Sequence, residues 1–167
     1  MKIVKLLIDK GSDVNQVDGT KQTPLTAACS GGNEKIVQLL INRGCDTPLP
    51  AACSRGNEKI VQLLLDRGSK VNQVDDMKQT PLTAACSRGN EQIVQLLLYR
   101  GSKVNQVDDM KQTPFTAAYS RGNEQIVQLL IDKGCDVDKT YDTRQALLTI
   151  SRERENFTVT FRQRKRG

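Results

Sequence analysis

Three arginines, Arg55, Arg88 and Arg121, recur at intervals of 33 residues, and two of them follow the same neighbours: Asp76, Met77 and Gln79 before Arg88, and Asp109, Met110 and Gln112 before Arg121. A guanidinium presents donors in a rigid fork that matches carboxylates, and methionine supplies an adaptable apolar contact. Residues of these types at a fixed interval suit the gripping of another polypeptide. They do not suit bond cleavage. The chain has no histidine, which removes the Ser-His-Asp and Cys-His arrangements and every His-dependent metal site. No base, nucleophile and oxyanion stabiliser recur together, so neither enzyme activity, a cofactor nor a small-molecule substrate is expected. Five cysteines without a CxxC pair indicate neither a disulfide framework nor a metal cage, and point to a reducing intracellular compartment, cytoplasmic or nuclear.

The formal charge of +6 suggests nucleic acid until it is divided along the chain. Residues 1–138 hold 17 Lys and Arg against 16 Asp and Glu, whereas residues 139–167 hold 8 against 3. The body is balanced and the tail is basic. Contact with nucleic acid or an acidic membrane is therefore expected only through the tail. The longest apolar runs are interrupted by glutamine, and Lys2, Lys5, Asp9 and Lys10 fall where a signal peptide would need an unbroken apolar segment, so neither a transmembrane segment nor export is expected.

The elements that position the arginines follow from self-comparison. Residues 68–100 and 101–133 differ at five positions only, so these are copies of a 33-residue unit. Within a copy, Thr80 and Pro81 form an N-cap and N1 pair that starts a short helix. Leu82, Ala84, Ala85 and Cys86 are small enough for a neighbouring helix to approach closely, and Gly89 stops the helix. Asn90 caps a second helix, with Glu91 facing the positive end of its dipole. Its residues Ile93, Val94, Leu96, Leu97 and Leu98 are apolar around most of the circumference, which implies neighbours on two sides. Arg100 and Gly101 close it, and the stretch from Val104 to Asp109 reads as an extended hairpin arm and tip.

The TPL opening, the A-A-x-x-x-G run, the IVxLLL helix and the G-x-x-V-N exit resemble the ankyrin repeat. The resemblance implies a mainly α fold, an α-solenoid of stacked helix-turn-helix units with projecting β-hairpin fingers. It covers residues 1–150: a half repeat at 1–12, repeats at 13–45, 70–102 and 103–135, a repeat lacking its finger at 46–69, a degenerate repeat at 136–151, and beyond the array a basic tail at 152–167. It also implies a non-catalytic scaffold that binds a protein or peptide on its concave face, through fingertips and first helices. Arg55, Arg88 and Arg121 fall near first-helix ends where the family commonly meets partners, flanked by the fingertip residues named above. Gly31 interrupts the row.

Several positions depart from the family's pattern. Thr26, Pro50, Thr83 and Thr116 stand where the family carries a histidine that ties units together. Lys21, Lys78 and Lys111 replace the hairpin glycine, so either another turn forms or a lysine takes positive φ. The Gly44–Thr47 connection lacks nine residues, which predicts a notch in the row of fingers. Asn15, Asn72 and Asn105 are expected to bond backbone within the finger. Cys29, Cys53 and Cys86 read as buried thiols, too far apart for disulfides. Tyr119, at the same offset, should splay its unit or turn its ring to the surface. Ile3, Leu6, Leu7 and Ile8, in a helix without its first-helix partner, would expose apolar surface and favour self-association or continuation of a longer array. Phe157 to Phe161 alternates like a strand, and the remaining tail reads as an edge segment, a localisation signal or disorder.

Overall fold

The computed structural model describes residues 2–45 and 48–137; the degenerate unit beyond Val137 and the tail lie outside it. The described chain forms nine helices: α1 (Lys2–Asp9), α2 (Pro24–Ser30), α3 (Glu34–Ile41), α4 (Leu49–Arg55), α5 (Glu58–Asp66), α6 (Pro81–Arg88), α7 (Glu91–Tyr99), α8 (Pro114–Ser120) and α9 (Glu124–Asp132). First helices α2, α4, α6 and α8 form one layer and second helices α1, α3, α5, α7 and α9 the other. Each first helix also packs on the second helix of its own unit.

Local chemistry sets the helix starts. Thr23, Thr80 and Thr113 accept the N–H of Thr26, Thr83 and Thr116 at 3.2, 3.0 and 3.2 Å, with proline in the first turn. The second threonine bonds back to the first, hydroxyl to hydroxyl. The position that ties units together in the related pattern therefore works here inside its own unit. In α4 the corresponding residue is Pro50, which has no N–H to give; the helix begins at Leu49 behind Pro48, without a side-chain cap.

Packing between units is driven by complementary faces. Ala84, Ala85 and Cys86 in α6, and Ala117 and Ala118 in α8, are buried, as are Ile93, Val94 and Leu97 in α7. Small side chains bring the first helices together more closely than the leucine-rich second helices. The thiols of Cys29, Cys53 and Cys86 are free and buried, and burial pushes Cys29 up to about 12. These thiols pack as small apolar groups and carry no nucleophilic chemistry. Tyr119 neither splays its unit nor faces solvent. It is buried and stacked on Phe115, ring centroids 5.8 Å apart. The Leu82-to-Phe115 exchange in the same unit supplies the flat partner that a cysteine would not need.

The expected β-hairpins are absent: the described residues contain no strand. In the second finger, Asp75 N–H donates to Gln79 O at 3.2 Å, the first half of a ladder pair. The return bond is missing because Gln79 N–H donates instead to the Asp75 carboxylate at 2.9 Å, and Met77 N–H to the same oxygen. Asp18 and Asp108 intercept Gln22 and Gln112 in the same way. A side-chain acceptor thus outcompetes the strand ladder, and each finger is an aspartate-centred turn. Lys21, Lys78 and Lys111 take φ of 60°, 56° and 62° there, so the lysine accepts the left-handed conformation.

Candidate functional site

Along the first-helix layer, Arg55 is the last residue of α4, Arg88 the last of α6, and Arg121 the C-cap of α8. Each sits where the negative end of a helix dipole favours a cation. All three side chains are exposed. The ion pairs among the described residues are Arg43–Asp9, Lys78–Asp109 and Arg100–Asp66, so none of the three arginines is held by a carboxylate. Because α4, α6 and α8 pack side by side, the helix ends that carry the three arginines follow one another at roughly the 10 Å spacing of packed helices. The α2 unit ends on Gly31 instead and contributes no cation.

The fingertips form a second row. Met77 and Met110 are 54% and 64% exposed, Asp76 and Asp109 are exposed, and Gln79 and Gln112 are half-buried at the finger bases. A helix of eight residues such as α6 is about 12 Å long, so the arginines stand one helix length away from the finger bases. Arginines and fingertips are therefore brought to two parallel bands, not into one cluster.

Two contacts that sequence reasoning missed join the second and third fingers. Asp109 N–H donates to Met77 O at 3.1 Å, and Lys78 Nζ lies 2.9 Å from Asp109 Oδ1. The bond to Asp109 holds the Lys78 ammonium above its ordinary lysine value. Asp109, expected to face a partner, is thus engaged by the neighbouring finger. The lysine recurs in each finger and this aspartate in the second and third, Gly19 taking its place in the first, but the sequence does not reveal that one copy's lysine reaches the next copy's aspartate. In the first finger, Thr20 occupies the methionine position, and its N–H and hydroxyl both donate to Asp18; these bonds and that of Gln22 hold the Asp18 carboxyl below the usual range.

Elsewhere, unit-to-unit bonds lock the array behind these rows. Asn72 and Asn105 do not bond within their own finger; they accept N–H from Lys103 and Asp136 of the next unit, both at 2.8 Å. Asn90 does not cap α7 with its side chain. Its amide donates to Cys53 O of the preceding unit at 2.8 Å. On the outer face a ladder runs between second helices: Arg43 to Asp9, Arg67 to Asn42 and Arg100 to Asp66. The regular interval of these pairs is the signal that could have revealed them. A shallow outer groove between α3 and α5 has Leu39 and Leu63 with Lys5, Lys35, Lys59, Glu34 and Glu58 around it. Its rim mixes both signs of charge, unlike the arginine row.

Among the described residues there is no cluster of three or more His, Cys, Asp or Glu able to hold a metal, and no helix long and apolar enough to cross a membrane. A family model described as ankyrin repeats (3 copies) matches residues 1–75, 49–141 and 93–156. A stretch of 46 residues is 46% identical to protein phosphatase 1 regulatory subunit 27 of Mus musculus. That stretch covers 28% of this chain and 30% of the mouse protein, so the chain spans under a third of that relative.

Proposed function

Because this chain belongs to the ankyrin repeat family, we propose that it is a non-catalytic scaffold whose first-helix ends and fingertips grip another polypeptide. One observation carries the reading: among the described residues, Arg55, Arg88 and Arg121 are left without a carboxylate, whereas Arg43, Arg67 and Arg100 are tied into the outer ladder. No ion pair among the described residues occupies the three guanidinium groups, which leaves their forks available to a partner. The mouse relative is by its name a regulatory subunit, a part of an assembly, and this accords with a binding role. Substituting all three arginines by glutamate tests the proposal. The triple variant should keep the parent's circular dichroism and melting behaviour while losing the proteins that the parent captures from lysate. An unchanged capture profile would remove the arginine row from the site.

A second surface is a candidate for association, with a preceding repeat of a longer array or with a second copy of this chain. Ile3, Leu6 and Leu7 of α1 are exposed, whereas Leu40, Leu64, Leu97 and Leu130, at the offset of Leu7, are buried beneath first helices. Sedimentation across a concentration range should show association that a Leu6→Lys, Leu7→Lys variant abolishes. A parent that stays monomeric throughout would exclude the second copy.

A further inference from the structure

The contacts between fingers narrow the chemistry of the partner. Taking the interaction face described above as given, we infer that the segment it binds is acidic, carries a bulky apolar side chain, and seats on the third and fourth units rather than along the whole array.

The charge follows from which groups the fold has already engaged. Asp75 and Asp108 are occupied as acceptors for finger N–H groups, and Asp109 by Lys78. Glu91, which opens α7 just beyond Arg88, accepts from Gln95 on its own helix. Asp76 is the fingertip carboxylate left over, against the arginine row. These carboxylates keep their charge, but the three guanidinium groups have no ion-pair partner among the described residues, and the group that meets a guanidinium in a two-point fork is a carboxylate. The row's roughly 10 Å interval corresponds to three residues of an extended chain or seven of a helix, so carboxylates at such spacing meet successive guanidinium groups.

The location follows from the fingers. Met77 and Met110 lie on the two fingers joined by the Met77 O to Asp109 N bond and the Lys78–Asp109 pair. These joints fix the separation of the two backbone segments that carry the methionines before any partner arrives, which lowers the ordering cost of binding. Each thioether is exposed and adaptable, suited to an apolar side chain of no single shape. The first finger carries Thr20 in place of methionine, and the connection between α3 and α4 contains no methionine. Arg88 and Arg121 with Met77 and Met110 are thus the four-point contact.

Selection of a random 12-residue peptide library on the immobilised full chain tests this, with enriched peptides then measured by fluorescence polarisation. The inference expects enriched peptides rich in Asp and Glu with a Leu, Ile, Met or aromatic residue. It expects Arg88→Glu, Arg121→Glu to weaken them roughly tenfold or more, Arg55→Glu to weaken them less than either, and Lys78→Ala to weaken them several-fold. Peptides without acidic bias that are lost on Met77→Asp, Met110→Asp but not on the arginine reversal would overturn the charge inference and leave the scaffold reading standing. Enriched peptides indifferent to both pairs would overturn the two together.

Discussion

The finger lysines show how a single residue stores strain without function being required. Lys21, Lys78 and Lys111 sit at positive φ, where a side chain costs about 1–2 kcal/mol relative to glycine. Part of that is offset because glycine loses more freedom on folding. Lys111→Gly should therefore stabilise by about 0.5–1 kcal/mol, read as a higher urea midpoint; Lys78 is the poorer choice because it holds Asp109. Glycine is fixed elsewhere. Gly56 has φ 77°, and a Cβ there would lie 2.9 Å from Asn90 Oδ1, on an amide already held by Cys53 O. Gly56→Ala should destabilise by about 2 kcal/mol or more in the same assay. Ser69 and Ser102 bury hydroxyls that have no hydrogen-bond partner. Ser102→Ala should be neutral or stabilising by about 1 kcal/mol, and a clear loss would show that the hydroxyl is satisfied in solution. On the outer ladder, Arg100 holds the Asp66 carboxyl below its ordinary value of 3.8. A carboxyl held low in the folded state contributes stability above its ordinary pKa and loses it as pH falls through the folded one. NMR titration should place Asp66 below that value and return it upward in Arg100→Ala. The lysine's left-handed conformation was one of two outcomes legible in sequence. Tyr119 was not legible, because its burial depends on Phe115 one turn earlier.

At the scale of elements, the helices were readable and the connections only partly so. Thr-Pro starts, glycine stops and the apolar period of Ile93 to Leu98 fix the helix pairs by local rules, and those rules hold in the structure. The fingers were misread as hairpins because the period-two signal of an arm does not tell whether Asp75 will compete for the ladder's N–H groups. The asparagines were misread for a similar reason. Their spacing is local, yet their partners lie 31 residues on, in Lys103 and Asp136. Asn72→Ala strips a bond from the next unit's exit loop and should cost about 1 kcal/mol. Amide exchange should quicken at Lys103 more than within the second finger itself; faster exchange confined to the finger would contradict that assignment.

For the molecule as a whole, stability is a sum over neighbouring faces rather than one central core. Helix α1 buries no residue, whereas α6 buries six of its eight. Native-state hydrogen exchange should accordingly run fastest in α1 and slowest in α6 and α7. The stacking that produces this gradient also presents three arginines that no carboxylate among the described residues pairs with, while the outer arginines are bonded from unit to unit. The unpaired row was visible in the sequence as a 33-residue interval; the pairing that sets it apart required the fold. The most direct test is a hydrogen-exchange footprint of the chain bound to a peptide selected on it. Protection should centre on Met77, Arg88, Met110 and Arg121 and leave the outer second-helix face unchanged. Protection centred on Gln62, Gln95 and Gln128, with the arginine row still exchanging freely, would contradict the account.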